Sequence, residues 1–389
     1  MGGAAMTRMD AVPARAPAAA AAAMALAEVR RAAWDHLAAQ ALEPNAFYDA
    51  RYALPAYGTA PHLAPQALLA HAEGGRVLAG LLPVVSAWSA LRLPVPALVA
   101  HQPYAPLTVP LLHRDHAVEA AGALIDAAAA RGARLLSLPV MVLDGKAYDA
   151  FAEAMARRNL AGIVHNRHER AALDARQEAE SYLRAGFGAK KLKELRRLRH
   201  RLDEEGIVTF ALARGPAEAG PALERFLRLE AAGWKGAGGT GLGQKPGDAD
   251  FARRAAAEGM FEIGELTLAG RPIASGLMMR QGERAFFFKI AYDEELARYS
   301  PGVQLTLELT RLYAADPDIT LIDSTAAAGH PMIDHVWRER LSVGDLLIPT
   351  RPDDAVAAAI TALMAARRGA RSRLKALLHR DKPAKEKRI

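Results

Sequence analysis

The chain has 389 residues, 51% hydrophobic and 24% charged, the balance of a soluble globular protein of two or three domains. It contains no cysteine, which excludes disulfide scaffolds, thiolate-ligated metal sites and any route through an acyl-cysteine. Lys and Arg outnumber Asp and Glu 50 to 43, a formal charge of +7 that points to an anionic partner.

The alanine run from Ala16 to Val29 meets charge at Glu28, Arg30 and Arg31 without a clear cleavage site. It reads as a disordered, Ala-rich tail over residues 1–24 that runs into an alanine-rich helix, not as a secretion signal. No stretch reaches the ~18 to 20 uninterrupted apolar residues of a membrane span. The expected location is therefore cytoplasmic.

An apolar strand over Ala67 to Ala72 leads through a Gly-Arg turn into GRVLAGLL, Gly75 to Leu82. A proline-rich, rigid loop follows at His101 to Leu112 (HQPYAPLTVPLL), then a helix over Ala117 to Ala130 and a buried strand over Leu135 to Val140. The same grammar recurs 195 residues later, where Ile263 to Leu268 leads into GRPIASGL, Gly270 to Leu277. Helix Val303 to Ala315 and strand Ile319 to Ile322 complete the echo. Hairpin, helix and strand in that order make a mixed α/β sheet, present twice.

Between the halves, Arg184 to Arg201 (RAGFGAKKLKELRRLRHR) holds eight basic residues against Glu194 alone. Leu192, Leu195 and Leu202 set an apolar stripe under that basic helix, with Arg196 and Arg197 on its charged face. The face is a solvated helix surface, a phosphate contact or a membrane contact. The tail from Arg351 to Ile389 has 11 basic and four acidic residues, so residues 1–350 carry 39 of each sign. That tail offers an anionic membrane surface a second basic face, which would make the protein peripheral at the inner membrane.

Gly233 to Gly243 holds six glycines and no phosphate-loop spacing; it reads as an acceptor-side lid carrying Trp234 and Lys235. Arg284 to Tyr292 (RAFFFKIAY) is a strand, and alternation puts Phe286, Phe288 and Ile290 on one face with Phe287 and Lys289 on the other. Ser300 then caps a helix that Pro301 opens, and Gly302 permits close backbone approach. Leu305, Leu309 and Leu312 give that helix its buried face, while Ile319 to Ile322 delivers Asp323, Ser324 and Thr325 to a strand end. A strand running into a helix N-terminus is an anion site, flanked here by Arg298 and Lys289.

FFFKIAYDEELARYSPGVQLTLELTRLYA, with GRPIASGLMMRQGER before it and ITLIDST after it, resembles the CelD-like branch of the GNAT acyltransferase superfamily, relatives of the Fem peptidoglycan aminoacyltransferases. WKG at Trp234 to Gly236 and KKLKELRRLRHRL at Lys190 to Leu202 share the likeness. The resemblance implies tandem GNAT-like domains, each a mixed, mostly antiparallel sheet flanked by helices. These occupy residues 25–180 (a degenerate copy shaping the acceptor groove) and 207–350 (the acyltransferase). A basic linking helix at 181–206 joins them, and a basic helical tail spans 351–389. It also implies acyl-CoA as cosubstrate, its pyrophosphate held at Arg298, Ser300, Pro301, Gly302 and Val303. The superfamily pattern of two glycines is reduced here to one, in shifted register.

The implied chemistry is direct attack of an amine on a thioester, with no metal and no permanently bound cofactor. Asp323 and, second, His335 are the candidate bases, His330 ranking below because it adjoins Pro331. Lys289 is placed to steady the carbonyl, Tyr292 or Tyr299 to protonate the departing thiolate, and Trp234, Lys235, Arg196 and Arg197 to meet the acceptor. The expected acceptor is a cell-envelope or exopolysaccharide precursor. The alternatives are an inactive GNAT-like scaffold, an aminoacyl-tRNA-dependent Fem-type transferase and, last, a nucleic-acid-binding protein. Between Arg184 and Arg201 only Phe187 is available for base stacking.

Overall fold

The computed structural model describes residues 19–380 except 102, 234–238, 240 and 245. The alanine run forms a strand and not the expected helix. β1 (Ala20–Ala25) lies antiparallel on β2 (Gln66–Ala72), with Ala20 opposite His71 and Ala25 opposite Gln66. Alanine favours helix by only a few tenths of a kcal/mol per residue over most others, and a paired neighbour overrides that.

The first half runs β1, α1 (Arg31–Ala39), α2 (Ala50–Gly58), β2, β3 (Val77–Ser86), α3 (Ala87–Leu91), β4 (Ala97–Ala100), β5 (Leu111–Leu112), α4 (Ala117–Ala130), β6 (Leu135–Val142), α5 (Lys146–Ala156) and β7 (Ile163–Asp174). Helix α6 (Ala179–Glu204) then crosses to the second half. There follow β8 (Val208–Ala213), α7 (Gly215–Ala232), α8 (Pro246–Ala257), β9 (Phe261–Leu268), β10 (Arg271–Gln281), β11 (Arg284–Tyr292), α9 (Pro301–Ala314), β12 (Leu321–Asp323), α10 (Ile333–Val336) and β13 (Glu339–Pro349). The order of the main elements is the same in both halves. The two echoed Gly-Arg turns both use glycine in the left-handed region, Gly75 at φ 92° and Gly270 at φ 79°.

The strands join one sheet in the order β1-β2-β3-β4-β6-β13-β7-β12-β11-β10-β9-β8, with β5 on β3. Each half therefore ends by lending its last strand to the other. β7 pairs with β12 of the second half, and β13 pairs with β6 of the first. Chain boundaries near 180 and 207 bracket α6, yet the sheet does not divide there.

Leu192, Leu195 and Leu202 are buried along α6 as their spacing requires, and the helix breaks at Gly188, whose φ of 72° lies outside helical space. The basic tail is not wholly an appendage. α11 (Ala355–Arg380) buries Ala357, Ile360 and Met364 against Ala87, Val99 and Leu347.

One ion pair ties the halves at the middle of the sheet. Arg170 on β7 donates to Asp323 at the end of β12, both side chains being almost fully buried. Arg170 also donates to Pro106 O at 2.7 Å in the first-half loop, and Asp323 accepts from Thr325 N at 2.8 Å. Removing one partner strands a buried charge. Arg170→Met is expected to cost about 3–5 kcal/mol, read from urea denaturation; a loss under about 1 kcal/mol would mean the pair is not structural.

Candidate functional site

Among the described strands only β4 with β6 and β11 with β12 run parallel, one such pair in each half. In the second half the pairing lasts from Arg284–Leu321 to Phe286–Asp323 and then stops. Beyond it β11 continues to Tyr292 while the chain after β12 turns away through Thr325, whose φ is 51°. Thr325 Oγ1 donates to Phe287 O at 2.6 Å, closing the apex of the fork. Past that point β11 has no strand on this side among the described residues, and the gap is a groove.

Two adjoining cavities occupy the groove, of about 450 and 320 Å³. Ile290, His330 and Met332 line both. The larger reaches the start of α9, where Ser300, Pro301, Gly302 and Val303 form its wall, and α7, which contributes Leu229 and Glu230. The smaller holds Lys289, Ser324 and Thr325 together with Tyr104 and Pro106 of the first half.

The α9 terminus is not capped by the expected serine bond. Ser300 sits in the left-handed region at φ 55°, and its side chain makes no capping bond. Pro301 has no N–H, and Gln304 N already bonds Ser300 O at 3.0 Å. The first-turn N–H groups of Gly302 and Val303 thus lack intrahelical acceptors beside the larger cavity. A Cβ on Gly302 would stand 3.2 Å from the Tyr292 ring, so only glycine leaves this wall open.

Strict alternation fails on β11. Leu277 of β10 faces Lys289 and Met278 faces Phe287, so Phe288 is an extra, bulged residue. Phe286 and Phe288 remain on one face, against Phe47 and Tyr52. The bulge transfers Ile290 to the face of Phe287 and moves Lys289 away from it, toward α7. Lys289 Nζ there lies 3.5 Å from Glu230 Oε1.

Glu230 is the residue that motif reading missed. Its side chain is fully buried, Oε2 accepts from Leu242 N at 2.6 Å, and Oε1 has no hydrogen-bond partner among the described residues. A signal was present: Ala219, Ala222, Leu223, Phe226 and Leu227 give α7 a buried face, and Glu230 continues it. A carboxylate at a core position of an amphipathic helix needs a reason.

Of the other candidates, Asp323 is committed to Arg170 and lines neither cavity. His335 is exposed on α10, whereas His330 lines the groove and its Nδ1 accepts from Met332 N and Ile333 N at 3.3 Å each. Tyr299 donates to Glu205, and Arg298 lies over that ring and bonds Glu205 at 2.9 Å, so neither side chain faces the groove. Tyr292 does line it, and burial, then Glu294, raises its hydroxyl pKa and keeps it protonated. Arg196 and Arg197 are exposed on α6 and pair with Glu180 and Glu194, away from both cavities. Trp234 and Lys235 lie outside the described residues.

The first-half fork is filled. β4 and β6 pair from Ala97–Leu135 to Val99–Ser137, and the loop that follows β4 packs Leu107 and Val109 into the interior without exposure. Thr108 donates from its hydroxyl to Pro139 O. The cavity beside this fork, lined by Val99, Ser137 and Pro139 together with Met364 of α11, is about 140 Å³, against about 450 Å³ in the second half.

Residues 189–330 match the family described as the acetyltransferase (GNAT) domain. That match runs from the later part of α6 to the end of β12 and just beyond it. No curated protein matches the chain. Among solved structures it is similar to the crystal structure of FemX, at 12% identity over 84% of this chain and 96% of that one with a TM-score of 0.53. It is also similar to the C-terminal domain of a protein named as a lysylphosphatidylglycerol synthetase from Agrobacterium fabrum, at 13% identity over 86% and 95% with a TM-score of 0.52. A conserved protein of unknown function from Bacteroides thetaiotaomicron aligns at 12% identity over 83% and 98%, with a TM-score of 0.50. These likenesses establish the fold, mixed α/β around a mostly antiparallel sheet, and the match at residues 189–330 makes its second half GNAT-like.

Gly302→Val is expected to weaken coenzyme A binding at least about tenfold while leaving the melting temperature near wild type. Calorimetry with coenzyme A checks this; unchanged affinity would remove Gly302 from the site.

Proposed function

We propose that the protein is an N-acyltransferase that moves an acyl group from acyl-CoA directly to an amine of a cell-envelope or exopolysaccharide precursor. The observation that carries the reading is the open fork between β11 and β12, which leads from Thr325 to the first-turn N–H groups of α9. Its chemistry suits a pyrophosphate at Gly302 and Val303 and an extended thioester arm along β11. Coenzyme A is a cosubstrate here, and no residue need hold it permanently.

Glu230 takes the proton of the incoming ammonium, and Lys289 Nζ lies 3.5 Å from its Oε1. The free amine attacks the thioester carbon, the C–N bond forms and the C–S bond breaks. Tyr292 gives its proton to the departing sulfur and regains one from the nitrogen through solvent. The bulge at Phe288 lines the smaller cavity, on the stretch of β11 along which the thioester would lie. The one alternative is an aminoacyl-tRNA donor, which the sequence's resemblance to Fem-type transferases implies.

Acetyl-CoA should bind the full chain with a measurable heat and release thiol in the presence of a primary amine. Binding without thiol release across a panel of sugar and alkyl amines would indicate a scaffold. No heat with any acyl-CoA would end the acyl-CoA reading and leave the aminoacyl-tRNA donor. Glu230→Gln should lower turnover about 10²- to 10⁴-fold with acetyl-CoA affinity within about twofold of wild type; an unchanged rate would exclude Glu230 as the base.

A further inference from the structure

We propose that the outward face of α11 docks on an anionic phospholipid surface. The helix has two apolar stripes. One, Ala357, Ile360 and Met364, is buried against the first-half sheet. The other, Val356, Ala359, Leu363, Ala366 and Ala370, is exposed along its length, with Leu363 44% and Val356 41% accessible. Its spacing of three, four, three and four continues in sequence to Leu374 and Leu377, within the same helix.

An exposed apolar stripe on a helix needs a partner, and the charge around this one says which. From Arg371 to Ile389 the sequence holds eight Lys or Arg against Asp381 and Glu386. Residues 1–350 are neutral overall, so the excess positive charge of the chain lies in the same C-terminal stretch of sequence as the stripe. An apolar stripe with flanking cations is the composition that lies in the headgroup region of an anionic bilayer.

The body of the protein adds an interfacial aromatic next to α11. Arg367 of α11 donates to Leu91 O, which fixes the helix against α3. Trp88 on α3 is 55% exposed, the most exposed tryptophan among those described, and Arg92 lies 5.8 Å from its ring. A tryptophan with a cation at its side suits the headgroup boundary. Nucleic acid fits less well, because residues 351–389 contain no Phe, Tyr or Trp for base stacking.

The test is co-sedimentation of the full chain with phosphatidylcholine vesicles and with vesicles containing about 30% phosphatidylglycerol. The proposal expects pelleting with the anionic vesicles, at least tenfold weaker pelleting with the neutral ones, and release at high salt. Leu363→Glu combined with Leu374→Glu should weaken binding at least tenfold at an unchanged melting temperature. No pelleting with anionic vesicles, full pelleting of the double variant, or preferential binding of single-stranded RNA over vesicles would each overturn it.

Discussion

Asp323 stands at the point where the sheet must part, and a carboxylate buried there has to meet a cation. Arg170 supplies it from a strand lent by the first half, and the same guanidinium holds the loop that carries Pro106 to the groove. The ion pair thus sits at the apex of the fork, on a strand that crosses between the halves, and braces one wall of the smaller cavity. Asp323 is also the last residue of β12 to pair with β11, so the ion pair lies where the two strands separate. A shorter ladder would widen the groove, and a longer one would close it.

The strand exchange gives this arrangement its rigidity. Because β7 and β13 sit in each other's halves, the groove is built on one continuous sheet and not at a hinge between two domains. The duplicated forks have meanwhile diverged. Leu107, Thr108 and Val109 fill the first, and the second keeps glycine and proline at the helix entry. The first half serves the site through Tyr104, whose hydroxyl bonds Asp248 on α8 at 2.5 Å while its face lies on Phe251.

Much of this was legible in the chain. The Gly-Arg echo revealed the duplication because a left-handed turn demands glycine in both copies. The Ser-Pro-Gly entry of α9 pointed to Ser300, Pro301, Gly302 and Val303, which line the larger cavity. What sequence could not supply was the bulge. Alternation assumes an unbroken ladder, and the extra residue at Phe288 sends Lys289 to Glu230. Asp323 looked catalytic because it ends a strand in an α/β fold, but its partner lies 153 residues away on a strand from the other half. Arg298 and Tyr299 are adjacent to the site in sequence, yet the short helical turn before Ser300 directs both to Glu205. The alanine run misled for the opposite reason, since a local preference for helix yielded to a neighbouring strand.

The central claim is that one fork works and its duplicate does not. A crystal structure of the full chain soaked with coenzyme A tests it most directly. The account predicts density for the pyrophosphate at the amides of Gly302 and Val303 and for the thiol near Lys289, with none between β4 and β6. Coenzyme A bound in the first-half fork, or outside the groove between β11 and β12, would contradict it.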